Sequence, residues 1–339
     1  MPEQANTLNQ KQKVDWKNRI IWILIVTIFW YVTVFSFLSG LLFDSGVSPF
    51  RQMELSGPVR FTLIYYLSTI VEFVGILVYT GITKRNRFIL HSFLPKAEGN
   101  RLSALLLGLA VGFVMNFGCI LWALLAGDIK LFLNFAVGQI PFFIFALVCV
   151  FIQSTTEELW CRGFMYERIN VHYPLWVAIV VNGVFFAFLH IFNPGVGVLP
   201  IVDIAVCGLS FSLAKWYTGS IWFPMGIHTA WNFTQNFLFG LPNSGLVSEA
   251  SVFGLDAANA KNTLIYDVAF GVEGGIPAIL ADAVLGVVCL ILAARSGRLG
   301  ELKQKKVTPS KDPAGPQPMY EYKTKVVDSG ASEWHYTDK

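Results

Sequence analysis

Charge is what this chain of 339 residues has least of: Asp, Glu, Lys and Arg make up 14 % of it, against roughly 25 % in an ordinary soluble domain. With 54 % hydrophobic residues and a mean hydropathy of +0.55, this scarcity excludes the two soluble domains that length alone would permit. Cysteine is sparse as well. Cys119, Cys149, Cys161, Cys207 and Cys289 all lie in apolar stretches, and no two form a C-x-x-C pair. Neither a disulfide framework nor a thiolate zinc site is expected, and each thiol reads as a small buried hydrophobe. There is no H-E-x-x-H zinc signature. A short N-terminal apolar segment ending in a small-residue cleavage site is missing too. The run from Ile20 is long enough to span a membrane and reads as a retained helix.

Long apolar runs are what the sequence has instead. Eight spans are predicted, at about residues 20–43, 59–82, 102–126, 135–166, 175–192, 198–217, 221–239 and 276–294. The fourth is long enough to bend, and the sixth and seventh meet at a tight turn at Gly219–Ser220. The chain is therefore expected to be all-α and polytopic. Residues 1–19 form a polar segment, 20–298 the integral membrane domain with a motif core at 154–233, and 299–339 a tail. Four prolines in that tail, Pro309, Pro313, Pro316 and Pro318, predict disorder.

Cations set the expected orientation, because Lys and Arg accumulate in cytoplasmic loops. Lys11, Lys13, Lys17 and Arg19 precede the first span. Lys84, Arg85, Arg87, Lys96 and Arg101 follow the second, Arg168 the fourth, and Arg295, Arg298, Lys303, Lys305 and Lys306 the eighth, while Lys215 ends the sixth. The opposite side carries only Arg51, Arg60, Lys130 and Lys261. An even number of spans with both termini cytoplasmic follows, in a membrane read as a bacterial plasma membrane. Topology and anionic headgroups explain the basic loops, so lipid is the expected partner and nucleic acid is not.

Ionisable side chains inside the membrane cost about 2.5–3.5 kcal/mol each on insertion scales, so those that persist need a partner or a task. The fourth span holds Glu157, Glu158 and Arg162. Glu158 and Arg162 are four apart, share a helix face and can pair. Glu157 points about 100° away and is left without a local cation, as a desolvated carboxylate suited to accepting a proton from water. Of five histidines, only His190 and His228 fall within spans. Phe186 and His190 share one face, and His228 and Asn232 another. The Asn232 amide can donate to a developing oxyanion. A lone histidine in a helix is more often a packing residue; two beside an unpaired glutamate are harder to read that way. By helical rise, Glu157 lies roughly 16 Å from Arg168, His228 roughly 13 Å and Asn232 roughly 19 Å from the Gly219–Ser220 turn, and His190 roughly 26 Å from Tyr173. His190 is the poorest fit in depth.

The ordered set Glu157-Glu158-x-x-x-Arg162, Phe186-x-x-x-His190 and His228-x-x-x-Asn232 resembles the CPBP family, also called Abi, which includes the type II CAAX prenyl endopeptidases. Gly163, and the Gly219, Ser220, Pro224 segment, also look familiar for it. The resemblance covers residues 154–233. It implies about eight transmembrane helices around a conical hydrated cavity open to one side. It further implies an endopeptidase acting on a membrane-associated or lipid-modified protein or peptide, with Glu157 and His190 activating water and His228 and Asn232 stabilising the oxyanion. Glu158, Arg162 and Phe186 would support them. No cofactor is required on this reading. A zinc-assisted route through Glu157, His190 and His228 stays open.

A non-catalytic immunity or scaffolding protein is the alternative class, and a transporter with a proton relay a third. Glu72 is mid-span, expected to line the cavity or to pair with Arg162. Asp203 and Asp282 sit near outer ends, and Lys215 near an inner end, where snorkelling makes all three tolerable.

Overall fold

The computed structural model describes residues 19–46, 48–83, 86–95 and 99–304. The expectations for residues 1–18, for Lys84, Arg85 and Lys96, and for the proline-bearing tail from residue 305 lie outside the described residues. The chain divides into Met1–Lys306 and Val307–Lys339, and the second unit lies wholly outside them.

In lipid a backbone must satisfy its own N–H and C=O groups, and a continuous apolar segment does so as a helix. Among the described residues, six helices are long and apolar enough to cross a membrane: α1 (Ile20–Phe43), α2 (Gly57–Ile82), α3 (Leu102–Leu125), α4 (Val137–His172), α6 (Val198–Thr218) and α8 (Ile276–Arg295). Their outward faces are apolar; Leu125 is 80 % and Val198 81 % exposed, a surface that lipid covers and water would not tolerate. The molecule is a mostly helical, polytopic integral membrane protein.

Two of the eight expected spans are shorter than predicted. α5 covers Leu175–Leu189, 15 residues, or about 22 Å, less than the roughly 30 Å hydrocarbon core. It ends because Asn193-Pro194-Gly195 follows closely, with Gly195 at φ 73°. Residues 190–192, expected to be helical, form the turn instead. α7 (Trp222–Phe233) continues as one π-helical stretch, Thr234–Leu238. The turn between α6 and α7 matches its expectation: Gly219 takes φ 66°, and Ser220 and Ile221 both donate to Asn100 Oδ1.

Close packing against α3 sets the position of α7. A Cβ on Gly108 would strike the carbonyl of Phe223, and one on Gly112 that of Ile227; the small residues let the backbones meet as in many membrane helix pairs. Asn116, one turn further on α3, donates to Gln235 at 2.8 Å. Between α7 and α8, the strand β2 (Phe253–Leu255) pairs antiparallel with β1 (Leu131–Leu133), Leu131 opposite Leu255.

Candidate functional site

α4 supplies the carboxylates, and its geometry changes where they end. The α-helical part stops at Glu158, and Leu159–Met165 is π-helical. Single-turn π segments inside α-helices often mark functional sites. Tertiary donors hold this one. Asn182 of α5 donates to the Cys161 carbonyl and Lys215 of α6 to the Arg162 carbonyl. The same lysine pairs with Glu167 and lies 4.3 Å from the Tyr166 ring centroid. Lys215 therefore does not snorkel: it is 6 % exposed and compensated inside the protein, and Asp203 and Asp282, each 2 % exposed, do not reach the surface either.

Glu158 and Arg162 are fully buried and pair at 2.9 Å, as their four-residue spacing predicts. The Arg162 guanidinium also donates to Gly208 O at 3.3 Å and lies 4.3 Å from the Phe186 ring centroid. No ion pair joins it to Glu72. That residue is buried, and its Oε2 has no hydrogen-bond partner. Glu158 Oε1 is shared with His228, whose Nδ1 lies 3.1 Å away. The carboxylate accepts, so Nδ1–H donates and the imidazole turns Nε2 toward Glu157 Oε2 at 3.7 Å.

Glu157 is anchored on its other oxygen. Gln153 Nε2 donates to Glu157 Oε1, while Gln153 Oε1 accepts from Asn232 Nδ2 at 3.0 Å. One amide thus bridges α4 and α7. Glu157 Oε2 is buried and has no hydrogen-bond partner.

His190 caps the C-terminal end of α5, and its Nδ1 donates to Phe186 O at 2.8 Å, leaving Nε2 as the free ring nitrogen. His190, Phe186, His228 and Asn232 line one narrow cleft. The Phe186 ring stands between the imidazoles, its centroid 4.8 Å from that of His190 and 6.1 Å from that of His228. Glu157 and His190 make no hydrogen bond or ion pair with each other; the histidine beside Glu157 is His228.

Among the described residues, no three His, Cys, Asp or Glu side chains form a group able to hold a metal ion. Glu157, His190 and His228 do not gather as a three-ligand zinc site in this arrangement, since only Glu157 and His228 approach one another; the Nδ1 bonds leave Nε2 of both imidazoles open.

Three further residues of the polar cluster escaped the sequence reading: Gln153 beside Glu157, and Ser244 and Glu273 on the cleft wall. Gln153 carried a usable signal, standing four residues before Glu157 on the same helix. Glu273 and Ser244 carried none, because both belong to the stretch between α7 and α8 and reach the cleft only through the fold. Glu273 Oε1 accepts from Trp231 Nε1 at 2.9 Å. Its Oε2 accepts from the Ser244 backbone N–H at 2.6 Å and from Ser244 Oγ at 2.9 Å. Ser244 has φ 49°, the one non-glycine positive φ among the described residues.

The fold and the buried cluster of acids, imidazoles and amides define an integral membrane protein with a polar cleft inside its helices. The model of the type II CAAX prenyl endopeptidase Rce1-like family matches residues 139–234, the family that the three motifs resemble and one that suggests a protease. The matched region includes Gln153, Glu157, Glu158, Arg162, Phe186, His190, His228 and Asn232; Ser244, Glu273 and Asp282 lie beyond it. No curated protein matches the chain.

Proposed function

We propose that the protein is an intramembrane endopeptidase hydrolysing a peptide bond of a membrane-associated or lipid-modified protein or peptide, with Glu157 as general base. The observation that carries this reading is the unpartnered Glu157 Oε2, 3.7 Å from His228 Nε2 and held in place through Gln153. A gap of that size between polar atoms suits a bridging water.

In the proposed reaction, the water held at Glu157 Oε2 attacks the peptide carbonyl as Glu157 takes its proton, and His190, which lines the cleft, helps to activate it. A protonated His228 gives Nδ1–H to Glu158 and keeps Nε2–H for the developing oxyanion. Asn232 Nδ2 spends one hydrogen on Gln153 and has the second for the same oxyanion. Collapse of the tetrahedral intermediate breaks the C–N bond, and Glu157 returns the proton to the leaving amine. Arg162 keeps Glu158 ionised, and Glu158 keeps His228 turned toward Glu157. Low dielectric around the cleft strengthens each of these interactions.

The cation distribution supports both termini on the cytoplasmic side. Glu157→Gln, which preserves size and the hydrogen bond from Gln153, tests the reading. Cleavage of a membrane-embedded peptide library by the purified protein should fall about 100- to 10,000-fold, with insertion and melting temperature unchanged. Undiminished cleavage would overturn the role of Glu157. A cellular phenotype that survives the substitution would favour the immunity or scaffolding class.

A further inference from the structure

Three carboxylates in the cleft have no part in the reaction proposed above: Asp203 on α6, Asp282 on α8 and Glu273 just before α8. Asp203 and Asp282 stand within about 9 Å of the N-terminal ends of their helices by helical rise, at the end of the cleft nearer Glu273. Asp203 and Asp282 are 2 % exposed and Glu273 7 %. None forms an ion pair with a described residue. Arg162, the buried cation of the same helical layer, is committed to Glu158.

Their hydrogen bonding separates them. Glu273 receives the three bonds from Trp231 and Ser244 described above. Asp203 Oδ1 and Asp282 Oδ1 have no hydrogen-bond partner, although both side chains face the cleft. A buried oxygen left in this state costs about 1–3 kcal/mol, and burial beside a third acid makes each of them costly to charge without a partner. An arriving cation would offset both costs. A metal ion is the poorer fit, because no three acidic or imidazole groups gather closely enough to hold one. An ammonium or guanidinium group fits better, since it carries three to five donors and needs no fixed polyhedron of oxygens.

We propose that Asp203, Asp282 and Glu273 form a cation-recognition subsite that takes an ammonium or guanidinium group of the substrate, so that the protein selects a peptide bearing a basic group beside the bond presented to Glu157. The inference rests on the peptidase reading for the peptide nature of its ligand. The subsite also repels acidic residues at that position, and rejection of the wrong charge contributes to specificity as much as attraction of the right one.

The test uses full-length Glu157→Gln protein in lipid nanodiscs, so that binding is read without turnover. Fluorescent peptides of one sequence, each with a single arginine, lysine, norleucine or glutamate moved along the chain, are titrated against it. At one position the arginine and lysine peptides should bind at least about tenfold more tightly than the norleucine peptide, and the glutamate peptide more weakly than either. Acetylating the peptide N-terminus separates a side-chain cation from a terminal amine, because only the latter loses its advantage. Asp203→Asn with Asp282→Asn should bring the arginine-to-norleucine ratio toward one. Equal affinities at every position, no binding by any peptide, or a preference that survives the double substitution overturns the proposal. The first of these needs no second variant, so a misfolded double variant does not shield it. The two readings fail separately: wild-type protein that binds the basic peptide selectively and cleaves nothing would sink the peptidase reading and leave the subsite standing.

Discussion

Behind the cleft Glu158 has Arg162 at 2.9 Å and His228 at 3.1 Å; on its wall, Asp203 and Asp282 form no ion pair with a described residue. Both groups are buried, and both sit among apolar helices. The difference lies in where the compensating charge comes from. For Glu158 it stands four residues away on the same helix, so the pair forms as the helix forms. Asp203 and Asp282 lie on separate helices with no local cation. A carboxylate compensated within its own helix supports structure. One left uncompensated at a cleft wall waits for a partner from outside.

The largest effect should come from breaking the compensated group. Arg162→Met leaves Glu158 as a buried charge facing one imidazole, and stability should fall by about 3–5 kcal/mol, read as a lowered melting temperature in detergent micelles. Adding Glu158→Gln should recover most of that loss. A single variant as stable as wild type would erase the contrast between the two groups.

A smaller effect is expected at the bridge. Gln153→Ala removes the amide that holds both Glu157 and Asn232, without touching the Glu158–Arg162 pair. Gln153 is a positioning residue, so kcat should drop about 10- to 100-fold while KM and melting temperature hold. A parallel loss of all three would reduce Gln153 to packing.

The smallest is a pH effect at the uncompensated group. Burial raises the Glu273 carboxyl above its ordinary range, although Ser244 and Trp231 donate to it. The folded state then binds the proton more tightly than the unfolded chain. That contribution to stability is fully present below the unfolded value of about 4.3 and is lost as pH rises through the folded one. Glu273→Gln should flatten the dependence of melting temperature on pH above this point, whereas the compensated group shows no such gain. An unchanged slope would place the titration elsewhere, with Asp203, Asp282 and His228 the groups facing it.

Much of this arrangement was legible in the residues alone. Apolar runs located all six full-length spans, because lipid leaves a helix as the only way to satisfy an isolated backbone segment. The i, i+4 rule paired Glu158 with Arg162. It could not show that His228 would share Glu158 Oε1, since that contact joins residues 70 apart. Depth along α5 alone made His190 the poorest fit; rise along one helix carries no information on tilt or on how α4, α5 and α7 are offset, and the fold places His190 on the same cleft as His228 and Asn232. Snorkelling at Lys215 was the expectation for a lone cation near a helix end. Glu167 lies on the same long helix as Glu157 but beyond the span boundary drawn at residue 166, so its pairing with Lys215 was hidden.

Local pattern decided which segments enter the membrane and which polar side chains lie within them, because hydropathy and helical period act over a few turns of one chain. Which carboxylate meets which partner was settled only when α3, α4, α5, α6, α7 and α8 packed together. Charges on different helices interact across distances that no spacing along the sequence encodes.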